Sequence, residues 1–408
     1  MNLLTNSKVG AGILAITASV AVAACGSSSS TSGTHTGAST TSQSTPTSIS
    51  AESFTNDFTA MAALKSLAAE GKGKVAAIMP DTTSSTRYVE FDQPDLKRAA
   101  IAAGLSASDI IVQNALDSDQ TFLTDAESDI TNGASVLLID PEDSGTGLQV
   151  ENYAKQHGVA VINYDRLTLG GPADYYVSFN NVQVGRLIGQ GFVSCVKQWG
   201  VKHPNVIMMR GDPTDNNASL FYEGYYNDVL AQYFKDGKYT LSANTAGTWD
   251  PPTAQTEFEQ AYTAHPDANS AVIPNDENGA PIITYLRGHG VKPYTFPTTG
   301  QDATLVGLQN ILTGYQCGTV YKPVYKEAQA AIALALYLRA GKTAPTGLVN
   351  GTTTDPKNGD KVPSVLLSPT WVTPTNMAST IVHDNFVPAN KLCSGSAAAG
   401  CKKYGISG

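Results

Sequence analysis

Apolar runs in this chain end, one after another, in small groups of planar polar side chains. Asp81 and then Arg87-Tyr88 come after 75–79, Asp165-Arg166 after 159–164, and Asn180-Asn181 after 176–179. Asp215, Asn216 and Asn217 follow 206–209, Trp249-Asp250 follow 239–242, and Asn275-Asp276-Glu277 follow 271–274. Gly300-Gln301-Asp302 comes after 294–298, and Lys322-Pro323 after 320–321. Carboxylates, carboxamides and guanidinium groups can each engage two neighbouring hydroxyls with fork geometry. Trp249 or Tyr88 offers a flat apolar wall to a C–H face. Such a set suits a small polyhydroxylated molecule. Arg87, Arg166 and Lys322 are placed to balance Asp165 and Asp302, because unpaired carboxylates in a closed site are costly.

The elements that must position these groups are strands alternating with helices. From Lys74 to Tyr164 strand candidates at 75–79, 110–113, 136–139 and 159–164 are separated by helical spacing at 96–103, 122–130 and 148–157. The alternation restarts at Asn181, with strands at 206–209, 239–242, 270–273, 294–298 and 319–321. Continuous apolar runs suit parallel sheets covered on both faces, and strand–helix alternation builds right-handed βαβ units. In open parallel sheets, ligands bind beyond the carboxyl ends of the strands. The expected fold is α/β, with two doubly wound, Rossmann-like lobes joined by a three-strand hinge near Asn180, Lys322 and Thr370. The expected boundaries are 73–179 plus 323–368 for the N-terminal lobe and 180–322 plus 369–392 for the C-terminal lobe, with 393–408 as a tail. The apolar helix at 328–340 reads as core, and 342–363 as an exposed polar loop.

Ahead of the lobes, Lys8 precedes an apolar run from Val9 to Val22, shorter than the roughly 20 residues of a membrane span. It reads as a signal peptide over 1–24. The run closes in Val22-Ala23-Ala24-Cys25-Gly26, which resembles a bacterial lipobox with Cys25 as the lipidated first mature residue. Residues 25–72 are expected to form the lipid anchor and a tether, Gly26 to about Ser50 being almost entirely Ser, Thr, Gly and Ala. The remaining cysteines are Cys195, Cys317, Cys393 and Cys401. In an oxidising compartment they read as two disulfides. The short loop favours Cys393 with Cys401, which leaves Cys195 with Cys317, although four cysteines allow three pairings and spacing does not choose.

The runs 163–166, 176–185, 211–218, 275–276, 300–303 and 320–323 resemble, in order and with close spacing, the D-xylose-binding proteins of the type I periplasmic-binding family, which also holds ribose- and galactose-binding proteins. The stretch 363–367 before Trp371 is similar as well, so the resemblance covers roughly Lys74 to Asn390. It implies a receptor that captures a monosaccharide, xylose first, between its lobes and delivers it to the membrane subunits of an ABC importer. It implies ligand contacts at Arg87, Tyr88, Asp165, Arg166, Asn180, Asp215, Asn217, Trp249, Asn275, Asp302 and Lys322. Two departures stand out. Asn180 occupies a position where the family often has Asp, and Glu277-Asn278 replaces the small residues usual after Asn-Asp.

Other readings compete. Asp165 and Asn275 could each be helix N-caps, the commonest role for Asp or Asn after a strand, and Trp249 alone would be packing. Paired carboxylates Asp165 and Asp302 could belong to a glycosidase, but basic neighbours lower a carboxyl pKa and spoil a general acid, so no enzyme is expected. A sugar sensor remains compatible. With 26 Lys+Arg against 35 Asp+Glu the chain is acidic, net -9, which argues against nucleic acid. The scattered histidines and the cysteine spacings show no metal pattern, and no cofactor is expected. The protein is expected to be a monomer, held on the outer face of the cell membrane by its lipid.

Overall fold

The computed structural model describes residues 49–407, so the signal peptide, Cys25 and most of the tether lie outside the described residues. Twelve strands are present among the described residues: β1 (Lys74–Met79), β2 (Ile110–Asn114), β3 (Ala134–Ile139), β4 (Ala160–Tyr164), β5 (Tyr175–Phe179), β6 (Asn205–Met208), β7 (Thr240–Asn244), β8 (Ser270–Val272), β9 (Thr319–Tyr321), β10 (Gly351–Thr354), β11 (Lys361–Leu367) and β12 (Thr370–Val372). One sheet runs β10-β11-β5-β4-β3-β1-β2, parallel throughout except for the antiparallel β10–β11 pair. The second is built on β7-β6-β8 and the antiparallel pair β9–β12. Buried runs such as Val75 to Met79 and Val136 to Ile139 have helices on both faces, as parallel sheets require. The chain passes between the sheets after β5, after β9 and between β11 and β12, which is the three-crossing, two-lobed architecture expected.

Burial corrects several boundaries. The tether was expected to reach residue 72, yet Phe54, Phe58, Met61 and Leu64 are buried in the core of the first lobe, the last two on the helical turn Thr59–Leu64. Met61 and Leu64, three residues apart, share one face of that turn, and Phe58, at φ 64°, precedes it. Arg98 covers Phe58, its guanidinium 4.2 Å from the ring centre. Likewise 393–408 is no loose tail. Helix Ala398–Tyr404 buries Cys401 against Leu308, Leu312 and Leu392, and Gly400 lies so close that a Cβ there would meet Leu312 O at 2.5 Å.

The polar stretch 342–363 holds a hairpin rather than a plain loop. Its Thr-rich strand β10 extends the sheet at an edge, with alternate residues exposed. Polarity there reflects a half-solvated edge strand. Conversely 294–298 forms no regular strand, because Pro297 has no N–H to give to a ladder. The segment still bridges its neighbours: Ala271 N donates to Pro297 O at 2.9 Å, Ile273 N to Thr299 Oγ1 at 2.8 Å, and Cys317 N to Thr298 O at 2.8 Å. The second sheet is thereby continuous from β8 to β9.

The disulfides are Cys195–Cys317 and Cys393–Cys401, each with Cα atoms 5.7 Å apart. The first ties helix Asn181–Gln198 to the segment entering β9. The same helix crosses its neighbour at Gly185 and Gly224, where a Cβ on Gly185 would stand 2.1 Å from Phe221 O. Among the described residues no helix is long and apolar enough to cross a membrane.

Candidate ligand-binding site

The carboxyl ends of the strands face each other across the two lobes and enclose a cavity. The first lobe supplies Ser84, Ser85, Arg87 and Tyr88 after β1 and Asp165-Arg166 after β4; the second supplies Asp215, Asn217, Phe221, Trp249, Asn275, Gln301 and Asp302, with Lys322 at the crossing after β9. Every one of these residues is buried. Strand after strand contributes one or two side chains, as open α/β sheets do at their carboxyl edges.

Arg87 anchors the first lobe's side. Its Nε and Nη2 bind Asp92 at 2.8 and 2.7 Å, Nη2 also binds Glu327 at 2.6 Å, and Nη1 binds Asp165 at 3.0 Å. Four of its five N–H groups are thus spent on carboxylates, leaving one Nη1 proton for the cavity. Asp165 sits at φ 56°, a left-handed turn that swings its carboxylate back toward Arg87. Burial alone would raise the Asp165 pKa, but the charges of Arg87, Lys322 and Arg166 outweigh it and hold it at about 2. Tyr88 donates to the second oxygen of the same carboxylate at 3.1 Å. Asp165 is therefore no helix cap and no proton donor.

On the opposite wall, Asp302 (φ 85°) faces Lys322 Nζ at 3.0 Å and accepts from Ser85 Oγ of the other lobe at 3.0 Å. Lys322 reaches Asp165 at 3.9 Å. Burial would lower the Lys322 pKa, yet Asp302 and Asp165 raise it, so the ammonium stays charged. Asp215 caps helix Asn216–Tyr222, accepts from Trp249 Nε1 at 3.0 Å and stands 3.7 Å from Arg166. Burial pushes its carboxyl up, against the pull of Arg166. Trp249 is held edge-on to Phe221 and lies against Gly211, where a Cβ would meet the ring at 2.2 Å. A side chain at that glycine would push the indole into the cavity.

Asn217 and Asn275 serve the lobes more than a ligand. Asn217 Nδ2 donates across the cleft to Asp165 O at 2.9 Å, while its Oδ1 accepts from Asn181 and Tyr176. Asn275 is indeed a helix N-cap, accepting from Asn278 N at 3.1 Å, and its Nδ2 also reaches Ser84 O of the other lobe at 2.9 Å. The capping and site readings were not alternatives there.

Asn180 is corrected. It does not line the cavity but lies exposed, capping helix Asn181–Gln198 by accepting from Gln183 N at 3.0 Å. The buried member of that pair is Asn181, one residue on, bound to Asn217 at 2.8 Å. Ser84, Ser85 and Phe221 line the cavity without having been singled out, and Gln301 was named as a strand-end residue but not as a ligand contact. Gln301 stands beside Asp302 in a strand-end triplet, and its Oε1 is buried with no hydrogen-bond partner, a signal only burial reveals. Among the described residues no cluster of three or more His, Cys, Asp or Glu side chains is arranged to hold a metal ion.

Comparison with known proteins agrees with this geometry. The periplasmic binding protein domain family matches residues 75–343. The D-xylose-binding periplasmic protein of Escherichia coli is 34% identical over 69% of this chain and 83% of its own length. The multiple sugar-binding periplasmic receptor ChvE of Rhizobium radiobacter is 31% identical over 79% of this chain and 93% of its own. A solute-binding protein of a carbohydrate transporter from Chloroflexus aurantiacus, solved in complex with D-glucose, superposes with TM-score 0.69 at 26% identity, covering 78% of this chain and 97% of that one. Another from Clostridium phytofermentans, with bound β-D-glucose, gives 0.70 at 25% identity over 78% and 99%. All four are named as binding proteins or receptors rather than enzymes, and the two solved structures as solute-binding proteins of transporters. With two parallel-sheet lobes closing on a polar cleft, the chain belongs to the periplasmic binding protein family and has its type I fold.

Proposed function

We propose that the protein captures a neutral monosaccharide, D-xylose first and D-glucose next, in the inter-lobe cleft and delivers it to the membrane subunits of an ABC importer. The observation that carries this reading is the enclosed cavity, in which charged and amide side chains from both lobes are already neutralised by one another. Asp165 by Arg87, Asp302 by Lys322 and Asp215 by Arg166 leave hydrogen-bonding capacity without net demand for a charged ligand. Burial of every lining residue suits one sugar ring better than an oligosaccharide. Lobe-to-lobe bonds such as Ser85 to Asp302 and Asn217 to Asp165 fit a receptor whose ligand favours the closed state by differential affinity. The names of the relatives, xylose- and multiple-sugar-binding proteins, point the same way.

We propose further that the mature chain begins at Cys25 and is held by lipid on the outer face of the membrane as a monomer, near its permease. Calorimetric titration with xylose, glucose, ribose, arabinose, galactose and xylobiose tests the first reading. Tight binding of one monosaccharide supports it, and no heat from any of the six would remove it. Fractionation of cells carrying Cys25→Ala tests the anchor: release into the soluble fraction is expected, and retention in membranes would count against lipidation.

A further inference from the structure

Glu277, which stands where the resembled family keeps a small residue, does not line the cavity. Its Oε1 accepts from the Thr86 N–H at 2.8 Å and from Thr86 Oγ1 at 3.1 Å. Thr86 lies on the 81–88 loop of the first lobe, and Glu277 stands in the first turn of helix Asp276–Gly288 of the second. The two bonds therefore exist only while the lobes are together. In that state Glu277 is 8% exposed and its Oε2 is buried with no hydrogen-bond partner.

The charges around it are wrong for a carboxylate. Asp302 faces it from the 300–302 strand end, and Asp276 from its own helix. The cations nearby are engaged elsewhere, Arg87 with Asp92, Asp165 and Glu327, and Lys322 with Asp302 and Asp165. Burying an unpaired carboxylate is far costlier than burying a neutral carboxyl. Burial first, then Asp302 and Asp276, push the Glu277 carboxyl well above its ordinary range.

We infer that Glu277 is a closing latch, a positioning residue outside the ligand shell whose carboxyl is protonated when the lobes shut, so that capture of the sugar takes up a proton. This rests on reading the cleft as the sugar site. With the lobes apart Glu277 is in water and titrates at the ordinary glutamate value. Latch stability is fully present below that value and is lost as pH rises through the closed-state value. Between the two, affinity falls by about tenfold per pH unit, one proton being linked to each closure.

The test uses the full chain in detergent, wild type and Glu277→Gln, titrated calorimetrically with xylose and with glucose at pH 5.5 and pH 8 in buffers of differing ionisation enthalpy. Glutamine keeps an acceptor for Thr86 and cannot ionise. Wild type is expected to bind at least tenfold more weakly at pH 8 and to take up protons there. Glu277→Gln should bind alike at both pH values, more tightly than wild type at pH 8, without that uptake. Equal proton uptake in the two proteins overturns the latch. If neither sugar binds, the sugar reading fails by itself. The latch is then read from the distance between spin labels on the two lobes: a closed population that shrinks with pH in wild type but not in Glu277→Gln upholds it, and identical pH responses overturn it.

Discussion

Ser85 Oγ donates to Asp302 Oδ2 at 3.0 Å, although the two residues are 217 positions apart and belong to different lobes. The same carboxylate faces Lys322 at 3.0 Å, so Asp302 at once neutralises the buried ammonium and bolts the lobes together.

Asp302→Ala strips that acceptor from a desolvated cleft and leaves Lys322 with Asp165 alone, 3.9 Å away. Sugar affinity is expected to fall at least tenfold, since charge-assisted bonds are worth about 1.5–3 kcal/mol. Calorimetry checks this, and unchanged affinity would sink the site assignment.

Gln301→Ala is expected to weaken sugar binding severalfold with no loss of thermal stability. Its Oε1 has no protein partner to lose, so the cost falls on the ligand. A drop in melting temperature with unaltered affinity would instead mark Gln301 as a packing residue.

Arg87→Met leaves Asp92, Asp165 and Glu327 buried without their shared cation. Removing one partner of a buried ionic cluster costs about 3–5 kcal/mol. Chemical denaturation should show a loss of that order; a stability within 1 kcal/mol of wild type, on the order of a surface change, would contradict the network.

Breaking Cys195–Cys317, which spans 122 residues, should destabilise the protein by about 2–4 kcal/mol, more than breaking the eight-residue Cys393–Cys401 link. Denaturant curves of Cys195→Ala/Cys317→Ala and Cys393→Ala/Cys401→Ala compare the two directly.

Stability should also decline toward alkaline pH. Burial raises the carboxyls of Glu151 and Asp276 to about 7, in spite of hydrogen bonds from Asn163 to Glu151 and from Gln316 and Thr304 to Asp276. For carboxyls raised in the folded state, the contribution is complete below their unfolded values and disappears as pH rises through about 7. Thermal melts at pH 5.5 and 8.5 are expected to show the higher midpoint at pH 5.5. Glu151→Gln and Asp276→Asn should flatten the difference, and an unchanged pH response in both would exclude these groups as its source. Asp165, held at about 2, is the opposite case: its contribution is present above about 3.8 and fades only as pH falls through 2, so it adds nothing to this window.

Much of the architecture was legible in order and type, because continuous apolar strands with polar groups at their ends follow directly from sheets buried on both faces. Asp165, Asp302, Lys322 and Trp249 could be picked out because position after a strand predicts position at the cleft. The same rule misplaced Asn180, since it cannot tell a capping residue from the buried one beside it. It named Gln301 beside Asp302 but gave it no role, since its distinction is an unmet hydrogen bond. Segment boundaries failed where composition misled: Thr-rich β10 is polar because it is an edge, and Phe54 to Leu64 is core despite adjoining a Ser/Thr stretch.

What the sequence determined by itself is the alternation of elements, the strand-end chemistry and the family. These are local properties, written in periodicity and in residues a few positions apart. What only the tertiary structure decided is which groups meet across the cleft: Ser85 with Asp302, Thr86 with Glu277, Asn217 with Asp165. The choice of disulfide partners belongs here too. Such contacts join residues as many as 217 positions apart, and they depend on how two lobes close, which no local pattern encodes.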